Sequence, residues 1–572
     1  VVGARVAATP NLPSAPRDVV ATPGNAQVSL TWSPPEDDGG GAVTAFDKPN
    51  GGIRPIIPVE TVGRLISRAV MHEHKRSIRH AFSSVQSCLH PDGIAALTTN
   101  LRAALHQDKE SAALLLDARN AYGSIERPAI IAGLKSLGLG HFVAIFNQIY
   151  GQPNDLLVVT DEGPATISVE RGVIQGETMS SFFFCAGLHP VLLRLKEQGR
   201  AQREHETGAG QTEVEQMEQA SGTEPADPVV PTAEQAHPLA YADDTILLGR
   251  VPQLQQMMAT LMPEFARIGL SINAAKCTLA CASDAALQQA QDFMQQHGIK
   301  GVSLEREAVF VLGVPLGSAE AIKKLLLARH EEIEYELSRL IWLDHKQAAL
   351  LLLRQCGVHK VNHLLRTVPP SVIADFAAAH DQAVQYVLAH LVAPSKLTDH
   401  ACLVAALPIR EGGLGLYQAQ ATSQAAFLSG SSDAVRVGSH LFPELRDNTL
   451  HHLTQGTVDA TDLEAAVNRF NELRLDEHTE QVDAHKRISS LPPPAPPADQ
   501  NIQSALTAPP KLQQRLRNLL VRAQVAEHRA HMERNQRLAQ YTSSRELGAS
   551  AIWFALPSSP ELTLPNAYMR IA

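Results

Sequence analysis

Ala240-Tyr241-Ala242-Asp243-Asp244-Thr245-Ile246-Leu247-Leu248, led in by Pro238-Leu239, sets two adjacent carboxylates between two apolar runs. The runs read as short strands, and too few residues separate them for anything but a hairpin tip. Two anions on a tight turn repel each other unless a cation neutralises them, and oxygen-only ligands suit Mg²⁺ or Mn²⁺. An Asp-Asp pair alone is most often a solvated turn. Its meaning here depends on what the chain supplies elsewhere.

Upstream, Ser111-Ala-Ala-Leu-Leu-Leu-Asp117-Ala118-Arg-Asn120-Ala-Tyr122 again uses an apolar run to deliver one Asp, after which the pattern turns helical. A third carboxylate at the end of a second buried strand is what two-metal phosphoryl transfer needs. Two cations about 4 Å apart would hold the attacking and leaving oxygens of an in-line displacement.

Asp117 with Tyr122 five residues on, then Arg171-Gly172-Val173-Ile174-Gln175-Gly176-Glu177-Thr178-Met179-Ser180, then Tyr241-Ala-Asp-Asp244, in that order, resembles a reverse transcriptase of non-LTR (LINE-like) retrotransposons. The resemblance covers about residues 47–430. It implies an α+β fold, the right-hand polymerase, with fingers over 47–110, a palm with an antiparallel sheet over 111–316, and a thumb with helical connection over 317–430. A mostly helical region would follow over 431–572.

The activity it implies is RNA-directed DNA synthesis on an RNA template from a DNA primer and deoxynucleoside triphosphates. Asp117, Asp243 and Asp244 would hold two Mg²⁺ (or Mn²⁺) ions. Lys48, Arg54, Ala118, Tyr122, Gln175 and Gly176 would surround the nucleotide, Arg54 pairing with triphosphate oxygens and Tyr122 excluding a 2′-hydroxyl. Lys276, in Gly269-Leu-Ser-Ile-Asn273-Ala-Ala-Lys276-Cys277, would protonate departing pyrophosphate. Gly313, in Phe310-Val-Leu-Gly313-Val-Pro-Leu-Gly317, marks a hairpin similar to the primer grip. Arg64 and Arg68, on a basic amphipathic helix read over Thr61–Arg79, would face template phosphate. The family usually has Asp-Pro-Leu-Ser-Pro after Gln-Gly; Glu177–Ser181 here lacks both prolines, which is expected to loosen that turn.

Length and composition agree with an enzyme of this kind. The 572 residues allow several domains, and 44% apolar content supports globular cores. No apolar run approaches the ~20 residues of a membrane span. The six cysteines are scattered without a C-x-x-C pair, which favours a reducing compartment over a disulfide framework or zinc ribbon. With no secretory signal at the start, the expected location is intracellular, in a nuclear or cytoplasmic ribonucleoprotein. Val1 in place of Met reads as a fragment or processed piece.

A net charge of −10 is unusual for a polymerase, but its distribution answers the objection. Residues 201–237 hold eight acids against the single base Arg203, whereas Lys48 to Arg79 carry seven Lys/Arg against two Glu. Clustering rather than total charge binds phosphates. Residues 199–237 have almost no large apolar side chains and read as a disordered acidic insertion in the palm.

At the N-terminus, Gln27-Val-Ser-Leu-Thr-Trp32 alternates to give one apolar face. Residues 1–46 are similar to the opening strands of a fibronectin type III domain, truncated well short of the ~100 residues such a sandwich needs. Residues 491–510 form a Pro-rich linker, and Lys511–Gln540 reads as a basic helix with Arg515, Arg522, Arg529 and Arg537. Two alternatives stand beside the polymerase. One is a decayed, catalytically inactive retrotransposon-derived nucleic-acid-binding protein. The other is an extracellular adhesion protein built on the N-terminal module.

Overall fold

The structure is a computed structural model. It describes residues 63–154, 168–199, 236–393, 397–473, 502, 505–506 and 512–532 with side chains. It gives backbone strands or helices at 17–24, 27–33, 44–47, 53–56, 61–62, 155–160, 163–167, 200–218, 474–485, 503–504 and 533–534.

Five strands organise the described chain: β1 (Ser111–Leu116), β2 (His237–Tyr241), β3 (Asp244–Arg250), β4 (Thr278–Cys281) and β5 (Ser303–Glu305). Their order is β5-β4-β1-β3-β2. All neighbours are antiparallel except β4 and β5, so the sheet is mixed rather than wholly antiparallel as expected. The helix Asp284–Gln296 lies between β4 and β5 in the chain, and such a crossover returns a strand in the same direction.

Both sheet faces are covered, which explains why the strands read as continuous apolar runs instead of alternating. Ala112, Leu116, Ala240, Leu247 and Leu279 turn to one face and join a core with Phe182, Phe183 and Phe184 of α3 (Ser180–Glu218) and Phe265 of α4 (Val251–Arg267). Ala113, Leu239, Ile246, Leu248 and Ala280 turn to the other, against Leu97 and Leu101 of α2 (Gly93–Gln107) and the hairpin residues Val311 and Val314. The three consecutive phenylalanines are fully buried, each contributing about 2–3 kcal/mol by area. Their neighbour Arg127 is a buried cation that donates to the carbonyls of Tyr150 (2.9 Å), Gln152 (3.0 Å), Gly172 (3.2 Å) and Val169 (3.0 Å), and to Asn154 Oδ1 (2.8 Å). It ties the helix it opens to the strand carrying Val169.

Behind α2 lies a helical region centred on α5 (Ala419–Leu441), which packs on α2 and on the helices Pro370–Val392 and Leu512–Arg534. Asp381 caps α5 by accepting from the Ala419 and Gln420 amides at 2.6 and 3.0 Å. Arg366 pairs with Asp92 (2.8 Å) at the start of α2 and with Asp433 (3.0 Å) on α5, joining the two. Because α5 runs unbroken across position 430, the expected division between 430 and 431 falls inside one helix.

Several local expectations change. The basic helix over 61–79 is two helices, α1 (Thr61–Glu73) and Lys75–Ala81, parted at His74. Arg127–Ser136 and Phe142–Tyr150 are two separate helices, parted where Gly138 takes φ +71°. The insertion expected to be disordered from residue 199 is helical as far as Glu218, in keeping with its Glu, Gln and Ala content. Residues 219–235, most of the linker at 491–510, and Arg537 lie outside the described residues. At the N-terminus the strands Arg17–Gly24 and Gln27–Ser33 form a two-stranded hairpin.

Candidate active site

The β2–β3 hairpin closes with Tyr241 paired to Asp244, leaving Ala242 and Asp243 as a two-residue tip. Ala242 sits at φ +56°. A non-glycine residue there costs roughly 1–2 kcal/mol, strain that recurs where a backbone is bent to aim a side chain. The bend lifts Asp243 out of the strand and leaves Asp244 as the first residue of β3.

Asp117 follows β1 directly. Leu116 pairs with Thr245, so the same register carried one step further sets Asp117 opposite Asp244. The segment after α4 holds Asp117 in place: its carbonyl accepts from the Asn273 amide (2.8 Å) and its own amide reaches Cys277 Sγ (3.5 Å). Next to it Ala118 bridges Ile272, and the Arg119 amide donates to Ser271 O at 2.8 Å.

Asp244 registers the crowding. Its pKa is pushed up to about 6, by partial desolvation first and then by repulsion from Asp243 and Asp117. Asp244 as a whole is exposed. Its carboxylate therefore meets solvent on one side and two like charges on the other. A carboxyl whose ionisation is opposed by two neighbouring carboxylates offers oxygen donors that suit a hard divalent cation. Among the described residues, no group of three or more His, Cys, Asp or Glu side chains is drawn close enough to hold a metal ion.

Tyr122 lies beside this edge. Its ring stacks on Phe184 (4.7 Å between centroids, 15° between planes) and its hydroxyl shares a 2.9 Å hydrogen bond with Ser181 Oγ. Burial raises the pKa of that hydroxyl, so it stays protonated. The Tyr122 carbonyl accepts from Val173 N at 2.7 Å, which brings the loop carrying Gln175 and Gly176 against it. Gly172 makes the approach possible: at φ +73°, a Cβ there would lie 2.4 Å from Tyr122 O.

The loop after Gly176 is not loosened by the missing prolines. Glu177 Oε2 accepts from Met179 N (2.7 Å) while Oε1 accepts from Ser67 Oγ (3.1 Å) on α1. One side chain thus braces the turn and fastens α1 above it. Burial raises the Glu177 pKa against these hydrogen bonds.

The other expected residues are more dispersed. Lys276 ends a short 3₁₀ turn that follows Asn273, whose amide donates to the Asp117 carbonyl, and is exposed. Arg64 and Arg68 are exposed on α1. Arg54 pairs by backbone with Phe46 in a two-stranded hairpin, and Lys48 lies outside the described residues. Gly313 caps the hairpin Ala308–Val311/Val314–Gly317 with φ +76°, on the sheet face away from the Phe182–Phe184 core.

Gln86 is the residue sequence reasoning missed. It is fully buried, and its amide makes two hydrogen bonds to the Ala242 backbone: Nε2 donates to Ala242 O (3.2 Å) and Oε1 accepts from Ala242 N (2.8 Å). Oε1 also accepts from Cys88 N at 3.2 Å. On either side, Val85 O and Ser87 N bond to the Ala240 backbone at 2.8 Å each, so residues 85–87 lie along the outer edge of β2. Nothing in the sequence links positions 86 and 242; only a buried glutamine between Val and Ser could have hinted at it.

Residues 46–316 match the family model for reverse transcriptase (RNA-dependent DNA polymerase). The chain is 26% identical over 336 residues to the retrovirus-related Pol polyprotein from type-1 retrotransposable element R2 of Popillia japonica, covering 56% of this chain and 41% of that protein. It therefore spans about two fifths of the length of this curated relative. Solved structures similar to it include apo telomerase from Candida tropicalis (11% identity, TM-score 0.34, 72% of this chain and 68% of that one). Another is telomerase from Candida albicans in complex with a TWJ fragment of telomeric RNA (10% identity, TM-score 0.29, 73% and 64%).

Proposed function

We propose that this chain is an RNA-directed DNA polymerase of non-LTR retrotransposon type, with residues 47–110 as fingers, 111–316 as palm and the helices that follow residue 317 as thumb and connection. The observation that supports the reading is that Asp117 falls at the same end of the β1–β3 ladder as Asp244 and raises its pKa together with Asp243, inside the segment that matches the family. Asp117, Asp243 and Asp244 would hold two Mg²⁺ (or Mn²⁺) ions, whose chemistry is to offset charge on the attacking and leaving oxygens of nucleotidyl transfer.

The chain's own groups then do the positioning. Tyr122, fixed by Phe184 and Ser181, offers a flat surface under the incoming sugar and leaves no room for a 2′-hydroxyl. Gln175 and Gly176, held against Tyr122 through Gly172, line the nucleotide beside it. Arg54, Lys48 and Lys276 would neutralise the triphosphate, Lys276 by giving a proton to pyrophosphate. Arg64 and Arg68 would meet template phosphate, and Gly313 the primer strand. Backbone contacts of this kind fix register, whereas base pairing chooses sequence. RNA template, DNA primer and deoxynucleoside triphosphates are the partners this reading requires.

The test is primer extension on poly(rA)/oligo(dT) with Mg²⁺ or Mn²⁺, alongside Asp243→Asn. Extension that disappears in the variant supports the reading. If the unaltered chain extends no primer with either ion, the enzyme reading gives way to a nucleic-acid-binding protein without catalysis.

A further inference from the structure

We infer that Gln86 is a positioning residue for the proposed reaction, acting through the turn that carries Asp243. The inference rests on the polymerase reading but concerns a residue that is fully buried. Ala242 holds a left-handed conformation that alanine disfavours, at the tip of a two-residue hairpin. A turn under such strain persists only where its surroundings over-determine it. Here the determining group is one side chain, which occupies both the amide and the carbonyl of the strained residue.

The chemistry selects glutamine. The position needs a donor and an acceptor on the same planar group, at a spacing that spans one residue's N–H and C=O. Glutamate supplies no donor and would add a charge next to Asp243 and Asp244. Methionine keeps the length and supplies neither hydrogen bond. The clamp is itself held: Gln86 is fully buried, its neighbours hydrogen-bond to Ala240, and its oxygen also takes the Cys88 amide. Burial excludes the water that could replace a lost partner, so releasing the clamp leaves the Ala242 backbone groups unsatisfied and the turn free to relax.

The test pairs Gln86→Met and Gln86→Glu with a rescue, Gln86→Met combined with Ala242→Gly. Glycine adopts positive φ at no steric cost, so it relieves the need for the clamp without restoring its hydrogen bonds. We expect each single variant to lower kcat for primer extension at least about tenfold, with KM for the deoxynucleotide little changed, and the double variant to recover much of kcat. Hydrogen exchange at the Ala242 amide, read without nucleic acid or metal, should quicken about tenfold or more in Gln86→Met.

Unchanged exchange and unchanged kcat in both single variants overturn the inference. Faster exchange with unchanged kcat also overturns it, because the clamp would then hold the turn without serving the reaction. A general folding role predicts that the glycine rescue fails. If the unaltered chain extends no primer, the polymerase reading has failed, and the exchange measurement alone still decides whether the clamp exists.

Discussion

Leu116 on β1 pairs with Thr245 on β3, and this one register contact puts Asp117 and Asp244, 127 positions apart in the chain, at the same end of the sheet. A slip of one residue would turn the Asp244 side chain to the opposite face and separate the carboxylates. The site therefore depends on the ladder above it. That ladder is secured by burial on both faces, from Ala112 and Leu247 on one side to Ala113 and Ile246 on the other.

Asp244 makes stability pH-dependent in a defined direction. Its folded pKa, about 6, lies above the usual carboxylate value near 3.9. Between pH 4 and pH 6 the folded state holds more proton than the unfolded one, so this group's contribution falls as pH rises through that window. In chelator, thermal unfolding should show Tm declining from pH 4 to pH 6, with the decline reduced in Asp244→Asn. The same variant should raise Tm at pH 7 by a few degrees, since it removes the repelled charge. Added Mg²⁺ should raise the Tm of the unaltered protein at pH 7 more than at pH 5, and that of Asp244→Asn hardly at all.

Under the proposed polymerase reading, Tyr122 would set sugar selectivity. With its ring fixed flat on Phe184 at 4.7 Å, the side chain cannot swing aside for a 2′-hydroxyl. Tyr122→Ala should raise ribonucleotide incorporation relative to deoxynucleotide by about tenfold to a hundredfold, the range a pocket of fixed shape discriminates. Single-nucleotide extension with matched dNTP and rNTP measures the ratio; an unchanged ratio removes Tyr122 from this role.

Removing the Arg127 guanidinium should destabilise the whole domain. Arg127→Met leaves four carbonyls and the Asn154 side-chain oxygen without their donor, a loss of about 3 kcal/mol or more. Urea unfolding should show a lower midpoint at unchanged m-value. Arg127→Lys should recover only part of the loss, because an ammonium cannot reach carbonyls spread around a planar fork.

Glu177 braces the turn that follows Gly176. Glu177→Ala removes the brace on Met179 N and the tie to Ser67, and should cost about 1 kcal/mol, as loss of a cap does. With α1 unfastened from the nucleotide loop, KM for the deoxynucleotide should rise more than kcat falls. Steady-state extension against dNTP concentration separates the two. A fall in kcat alone would place Glu177 elsewhere in the mechanism.

Two apolar runs each ending in aspartate were enough to read the strand-to-carboxylate pattern, and the Asp-Asp hairpin follows from run lengths alone. The hairpin around Gly313 was legible too, from the resemblance that marked it. The parallel edge strand was not, since three residues at Ser303–Glu305 carry too little pattern to reveal their direction. Nor was the brace at Glu177, where the familiar prolines are replaced by a side chain whose partner, Ser67, lies 110 positions away.

The sequence by itself determined which residues bear charge, which segments must be buried, and the order in which the three carboxylates arrive. Tertiary structure alone decided that Gln86 grips Ala242, that Glu177 fastens α1, and that Asp117 and Asp244 share one end of a ladder. The division has a physical cause. Periodicity and propensity act over a few neighbouring residues, whereas a buried hydrogen bond or a strained turn is settled by whichever distant atoms the fold brings within about 3 Å.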